Sequence, residues 1–170
     1  MFTFVNSAMA STTSRFLTIA LGKKELKRMQ RVFQTALTIH ALIAVFVIFI
    51  GETVGLWFLL NKMQIPELRM DAAMWVYQIS IATTAISIMN VPFNASIIAH
   101  EKMSAFAYIS ILDVLLKLLI VYFLLFISFD KLKVYAALLF FAQTINQFIY
   151  MYYCKRKFAE TKMRFILERS

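Results

Sequence analysis

Residues 105–129, AFAYISILDVLLKLLIVYFLLFISF, form an almost unbroken apolar run in which only Asp113 and Lys117 are charged. As a helix, these 25 residues would extend about 37 Å, which is enough to cross the roughly 30 Å hydrocarbon core of a bilayer. A soluble domain could not cover so much apolar surface with the few polar residues around it. The stretch therefore predicts a helix that crosses a membrane.

Three further apolar stretches of similar length accompany it, at residues 36–60, 74–99 and 134–154. Apolar residues make up 61% of the chain, against roughly 45–50% in soluble domains. Only 3 Gly and 2 Pro are present, which disfavours a turn-rich β-protein. The connections are short, and short connections favour antiparallel neighbours. We predict an all-α, polytopic transmembrane helix bundle with four complete spans over residues 36–154.

The two ends of the chain differ from these spans. Residues 1–14 form an apolar stretch that is too short to cross and is interrupted by Asn6 and Ser7. We expect them to be the end of a truncated transmembrane helix, and we expect the chain to be a fragment of a longer protein. Residues 15–35 and 155–170 are two basic segments, predicted to be cytoplasmic or interfacial.

The distribution of positive charge predicts the topology. Thirteen of the 18 Lys and Arg residues lie in the two basic segments and at Lys102, whereas four lie on the opposite side of the spans. The richer side is expected to be cytoplasmic. The apolar residues of 15–31 fit one face of a helix, which predicts an interfacial helix on anionic headgroups. The lipid bilayer thus accounts for the charge without nucleic acid.

Asp113 and Lys117 are the most informative residues of the spans. They lie about 12 and 18 Å along the helix from Ala105, near the middle of the membrane. Each alone would cost about 2.5–3.5 kcal/mol on insertion scales, so they must pair, face water, or both. An acid four residues before a base is the favourable order for an ion pair on a helix. Two alternatives stay open: a structural lock between helices, or a charge that lines a polar pathway.

The second span carries a one-sided polar stripe. Its members fall within about 120° of one another around a helix; they are Ser80, Thr83, Thr84, Ser87, Asn90 and Asn94. Such a stripe either faces water or hydrogen-bonds to neighbouring helices. Pro92 removes a backbone donor within it and predicts a kink and a hinge.

The fourth span and the first add further polar candidates. Gln143, Asn146, Gln147 and Tyr150 have the spacing of a single helical face, which suits either sugar hydroxyls or hydrogen bonds between helices. Glu52 lies about two-thirds of the way through the first span. Like Asp113, it is a candidate for ion coupling.

No arrangement of residues predicts catalysis. The chain has no metal-ligand spacing, glycine-rich phosphate loop or nucleophile motif, so we expect no catalytic residue, no metal and no cofactor. His40 and His100 are predicted to be helix-end or interface residues. Cys154, the single cysteine, is predicted to be a buried or interfacial thiol.

Several stretches of the sequence resemble bacterial polysaccharide flippases, the lipid-linked oligosaccharide exporters of the multidrug and polysaccharide transporter superfamily. They are FVNSAMASTTSRFLTIALG (4–22), ETVGLWFLLNKMQIPELRM (52–70), WVYQIS (75–80) and NVPFNASIIAHEKMSAFAYISILD (90–113). The resemblance implies an N-terminal lobe of six helices and a second lobe of similar build. This chain would hold the end of helix two, helices three to six and the start of the segment between the lobes.

The resemblance also implies a function and partners. The family moves undecaprenyl-pyrophosphate-linked oligosaccharide across the bacterial inner membrane for surface polysaccharide assembly, by alternating access between two lobes. Lys117 would then be the candidate for holding the pyrophosphate, and the missing C-terminal lobe would be a partner. Two other hypotheses are a cation-coupled multidrug exporter of the same superfamily, which would favour an acidic lumen, and a membrane scaffold that does not transport.

The charge asymmetry generates a test of topology. The connections at residues 61–73 and 130–133 are expected to be periplasmic. Single cysteines at Gln64 and Lys131, in a Cys154→Ser background, should react with a membrane-impermeant thiol reagent in intact cells. Labelling of a cysteine at Lys24, together with protection at Gln64 and Lys131, would reverse the orientation.

Overall fold

The computed structural model describes residues 2–126, 130–158 and 161, and within them the chain is helical with no β-strand. The helices are α1 (Phe2–Gly22), α2 (Leu26–Ile50), α3 (Leu56–Asn61), α4 (Glu67–Ala99), α5 (Met103–Phe126) and α6 (Lys131–Lys157). A π-helical segment, Gly51–Gly55, joins α2 to α3 without a break. The predicted all-α fold is confirmed.

Four helical stretches are long and apolar enough to cross a membrane: Leu26–Asn61, Arg69–Ala99, Met103–Phe126 and Lys131–Lys157. Their outer faces carry large exposed apolar side chains, such as Leu118 at 65% and Phe126 at 70% exposure. Hydrocarbon is the solvent in which such surfaces are stable, and helices satisfy their own backbone hydrogen bonds there. The chain is thus built as a multi-pass membrane protein.

The helices begin before the predicted spans. α2 begins at Leu26, where the first span was predicted from residue 36; α4 begins at Glu67 and α6 at Lys131, where the spans were predicted from residues 74 and 134. The predicted third span ends at residue 129, but residues 127–129 lie outside the described part of the chain. The same holds for most of the basic segment 155–170, of which α6 contains residues 155–157.

α4 occupies the centre of the bundle and packs against α1, α2 and α6, whereas α5 packs mainly against α6. Two hydrogen bonds set the register between α4 and α6: Gln147 Nε2 to the Met89 carbonyl at 3.5 Å, and Cys154 Sγ to the Phe93 carbonyl at 3.5 Å. These contacts make α4 and α6 parallel. α4 and α5 also contact each other, but less extensively than either contacts α6, which packs beside α4.

The described apolar core lies at the basic end of the bundle, where α1, α4 and α6 end and α2 and α5 begin. It contains Leu17, Phe33, Ile97 and the thiol of Cys154, each at most 2% exposed. The Phe33 and Phe93 rings meet edge to face, with their centroids 5.5 Å apart. The prediction that Cys154 is buried is confirmed.

Residues 15–31 do not form the single helix predicted, and their interfacial location stays a prediction. α1 continues past residue 14 and ends at Gly22, and α2 begins at Leu26, so the segment is a helix–turn–helix. The turn is a Schellman motif: Glu25 N–H donates to the Ala20 carbonyl and Lys24 N–H to the Leu21 carbonyl, with Lys24 in the left-handed region at φ 54°. This helix end was not predicted, because lysine rather than glycine occupies the left-handed position.

Several apolar side chains of this segment pack against other helices. Leu17, Met29 and Phe33 are buried in the core, whereas Leu26 is half-exposed. A second Schellman turn joins α4 to α5, with Glu101 at φ 54° and Lys102 N–H donating to the Ile97 carbonyl. The two connections at the basic end are therefore built alike.

Gly51 and Gly55 allow a close approach between the π-helical segment and α4. A Cβ at Gly51 would lie 2.8 Å from Ile81 Cδ1, and a Cβ at Gly55 would overlap the Tyr77 hydroxyl. That hydroxyl donates to the Gly51 carbonyl at 2.7 Å. Gly51 and Gly55 form the small-xxx-small spacing through which membrane helices approach closely. The sequence contained this signal, and our prediction of the first span missed it.

Gly55→Ala should destabilise the protein by about 1–3 kcal/mol, because the added methyl forces Tyr77 away from Gly51. Unfolding in mixed detergent micelles measures the change. Gly22→Ala is the matched control, since a Cβ at Gly22 meets no atom within 4 Å. Adding Tyr77→Phe to Gly55→Ala should recover part of the loss by removing the overlapping oxygen. Equal stabilities of Gly55→Ala and Gly22→Ala would contradict the close approach.

Candidate functional site

An open groove of about 440 Å³ lies between α4 and α6, inside the spanning part of the bundle. One wall is the polar stripe of α4, with Ser80, Thr83, Thr84 and Ser87, and Gln143 contributes from α6. We call this the α4–α6 groove. The structure thus brings four residues of the predicted stripe to one cavity together with the first carboxamide of the α6 face.

Hydroxyl groups of the stripe bond within their own helix rather than across to α6. Thr83 donates to the Ile79 carbonyl at 2.7 Å, Ser80 to Val76 at 2.7 Å and Thr84 to Ser80 at 2.8 Å. Each bond runs back four residues, the usual way in which Ser and Thr satisfy themselves inside a helix. These donors therefore do not hold α4 to α6, and their acceptor lone pairs stay available along the groove.

The carboxamides lie nearer the basic end and are more enclosed. The side-chain oxygens of Asn90 and Asn94 on α4, and of Asn146 and Gln147 on α6, are buried with no hydrogen-bond partner among the described residues. The bond between Gln147 and Met89 fixes the two helices at this level. Buried polar atoms are nearly always paired, and each unpaired one carries a cost of about 1–3 kcal/mol. This stretch of the α4–α6 contact is therefore rich in unused acceptors.

Asp113 and Lys117 form the predicted ion pair, with Lys117 Nζ 2.6 Å from Asp113 Oδ2. The Lys117 side chain is 49% exposed and that of Asp113 only 21%. Asp113 Oδ1 is buried and has no hydrogen-bond partner within the described residues. The pair thus lies at the border between the packed and exposed faces of α5, with the cation on the outer side.

The pair belongs to the α5–α6 contact and not to the α4–α6 groove, whose lining includes neither residue. Tyr150 of α6 lies near Ser110 and Asp113 of α5. The predicted polar face of α6 is consequently divided: Gln143 lines the groove, Gln147 contacts α4, and Tyr150 contacts α5. Periodicity indicated one face, but the face meets two helices.

Glu52 lies in the π-helical segment, on the other side of α4. Its Oε2 accepts a hydrogen bond from Gln78 Nε2 at 3.1 Å. π-helical segments within longer helices occur often at functional sites, because the extra residue redirects side chains. Glu52 stays a predicted candidate for ion coupling. That it lies in a π-helical segment was not predicted from the sequence.

Pro92 lies inside α4 and is fully buried. The Ser96 hydroxyl donates to the Pro92 carbonyl at 3.1 Å, one turn beyond the missing backbone donor. α4 continues as one helix from Glu67 to Ala99 despite the proline. The hinge at Pro92 stays a prediction.

The described residues hold no group of three or more His, Cys, Asp or Glu side chains that could bind a metal ion. The two histidines are apart: His40 is buried in α2, and the His100 ring stacks on Phe158 with centroids 4.1 Å apart. No protein-family profile, curated protein or solved structure matches this chain. The resemblance to polysaccharide flippases therefore stays a prediction.

Proposed function

We propose that this chain is part of a membrane transporter that flips a lipid-linked oligosaccharide across the bacterial inner membrane by alternating access. The single observation that carries the proposal is the α4–α6 groove. It is open, it lies within helices long enough to cross a membrane, and the Ser80, Thr83 and Thr84 hydroxyls along it are bonded to their own helix. Those hydroxyls do not join α4 to α6, and their remaining lone pairs are available to a ligand.

The chemistry of the surrounding residues suits a glycan with an anionic linkage. Hydroxyl and carboxamide groups exchange hydrogen bonds with sugar hydroxyls, and Gln143 contributes both a donor and an acceptor to the groove. Outside the groove, at the α5–α6 contact, Lys117 supplies a half-exposed cation of the charge that a pyrophosphate requires. The substrate class we propose is undecaprenyl-pyrophosphate-linked oligosaccharide, with a second lobe of the transporter completing the cavity.

Two other functions receive less support. A cation-coupled multidrug exporter of the same superfamily would favour an acidic lumen, and no Asp or Glu lines the α4–α6 groove. A scaffold without transport would use the α6 carboxamides for packing. Such a scaffold would have no need for an open groove between its spanning helices.

Filling the groove tests the observation directly. Thr84→Phe, introduced at the native gene so that any further segments are present, should reduce glycan export at least about tenfold, the equivalent of about 1.4 kcal/mol in a rate. The bulky ring would occupy the path, whereas Thr84→Val keeps its width and should retain most export. Surface polysaccharide and accumulated lipid-linked glycan give the readout. Normal export by Thr84→Phe, at normal protein abundance, would exclude the groove as the path.

Ala107→Phe is the matched control for added volume. Ala107 lies on an exposed face of α5 and does not line the groove. The variant should keep both export and abundance, which separates blockage of the groove from a general effect of a larger side chain in a spanning helix.

Substitutions of Lys117 distinguish the flippase hypothesis from the scaffold hypothesis. If its ammonium holds the pyrophosphate, Lys117→Gln should abolish export at near-normal abundance, and Lys117→Arg should keep part of it because guanidinium also binds phosphate. The double variant Asp113→Asn with Lys117→Gln should then be present in the membrane but inactive. Immunoblotting and glycan export are measured together.

A purely structural ion pair gives the opposite pattern. Removing Lys117 alone would leave Asp113 unpaired in a low-dielectric setting, so abundance would fall, and the neutral double variant would restore it. An exporting double variant would eliminate Lys117 as a substrate ligand. Lys131→Gln is the control for the loss of one positive charge. Lys131 is the first residue of α6 and lies at the end of the bundle opposite the two basic segments.

A further inference from the structure

A second and larger cavity, of about 940 Å³, lies between α1 and α2 and is separate from the α4–α6 groove. Its walls are mainly apolar, with Met9 and Phe16 from α1 and Val32 and Ile39 from α2. Three threonines add hydroxyl groups along its length. We call it the α1–α2 cavity; its size falls in the range of sites that hold small ligands.

One end of the α1–α2 cavity is strongly basic. Lys27, Arg28 and Arg31, from the first turns of α2, contribute to its lining together with Glu25. Glu25 pairs with Arg28 at 3.2 Å. In the part of the chain that the structure describes, Lys27 and Arg31 have no ion-pair partner. Two positive charges are therefore uncompensated at this mouth.

The other end of the cavity lies further along α2. From Arg31 the lining continues along α2 to Ile39 and His40, about 13 Å further along the helix. His40 lies at this inner end: it is 2% exposed, and its Nδ1 hydrogen-bonds the Ala36 carbonyl at 2.7 Å. The apolar run of α2 begins at Ala36 and belongs to a helix long enough to cross a membrane, so the cavity extends from the basic first turns of α2 to the start of that run.

We propose that the α1–α2 cavity binds one anionic glycerophospholipid. Its phosphate lies between Lys27 and Arg31, and one acyl chain follows the apolar walls toward Ile39. A guanidinium and an ammonium match a phosphate in charge, and guanidinium also matches its geometry. A free anion would leave the apolar length of the cavity unused, and a neutral lipid would leave two cations without a partner. The charge at the mouth and the apolar interior fit an anionic amphiphile.

The proposal concerns a defined site rather than general attraction of basic residues to a membrane surface. Lys155 and Arg156 lie at the same end of the bundle, on α6, and do not line the cavity. They are the matched control for surface charge. Ala8 lines the cavity and is exposed, so it is the position at which the interior can be blocked without changing a charge.

The experiment uses the purified chain in nanodiscs that contain phosphatidylglycerol and phosphatidylcholine, each in turn carrying a photoreactive diazirine on one acyl chain. Labelled peptides are mapped by mass spectrometry. The phosphatidylglycerol probe should label α1 and α2 in preference to the phosphatidylcholine probe. Lys27→Gln with Arg31→Gln should reduce that labelling about 30-fold, the equivalent of about 2 kcal/mol for two charges. Lys155→Gln with Arg156→Gln should leave it close to that of the unaltered protein.

Ala8→Phe should reduce labelling of α1 and α2 with the charges intact, whereas Ala107→Phe on the exposed face of α5 should not. Equal labelling by both lipids, or unchanged labelling in the Lys27/Arg31 variant, would overturn the proposal. Displacement of the probe by inorganic phosphate alone would reduce the site to an anion site and would also overturn it. A Thr13→Cys variant that forms a disulfide with a second copy, and in which neither lipid probe labels α1 or α2, would show that a protein contact fills the cavity. That result would also overturn the proposal.

Discussion

Hydrocarbon supplies no hydrogen-bonding partner, so every polar group in the spanning region has to be satisfied by the protein or by water. This constraint applies most strongly to α4, because this spanning helix contains a hydroxyl stripe, two asparagines and a proline. Its position follows: it lies at the centre of the bundle, in contact with α1, α2 and α6. α5 is far more apolar on its outer faces and lies at the periphery, packed on α6.

The polar residues of the bundle meet this constraint to different degrees. Ser80, Thr83 and Thr84 donate to carbonyls of their own helix, which lets α4 border an open groove without unsatisfied donors. The carboxamides of Asn90, Asn94 and Asn146 are enclosed, with oxygens that have no partner among the described residues. Unused acceptors in a low-dielectric region are costly, and ligand hydroxyls or water would relieve that cost. This difference is why the groove and the carboxamides together form the candidate site.

The two ends of the bundle have distinct characters. The basic end holds the described apolar core and two Schellman turns, which fix α1 to α2 and α4 to α5. The other end is joined by the π-helical segment, which packs closely on α4 at Gly51 and Gly55, and by the ion pair of Lys133 on α6 with Asp71 on α4.

The sequence by itself determined the fold class, the four spanning helices and the ion pair of Asp113 with Lys117, because hydropathy and spacing within one helix are local properties. It also indicated the hydroxyl stripe of α4. Only the tertiary structure decided which helices touch. α6 runs parallel to α4, and Tyr150 and Gln147, from one polar face, contact different helices. Residues 15–31 form a helix–turn–helix whose Leu17 and Met29 are buried in the core. Those outcomes depend on side-chain packing between segments far apart in the chain, and on Lys24 and Glu101 taking a conformation usual for glycine. A helical periodicity shows which residues share a face but not which neighbour that face meets.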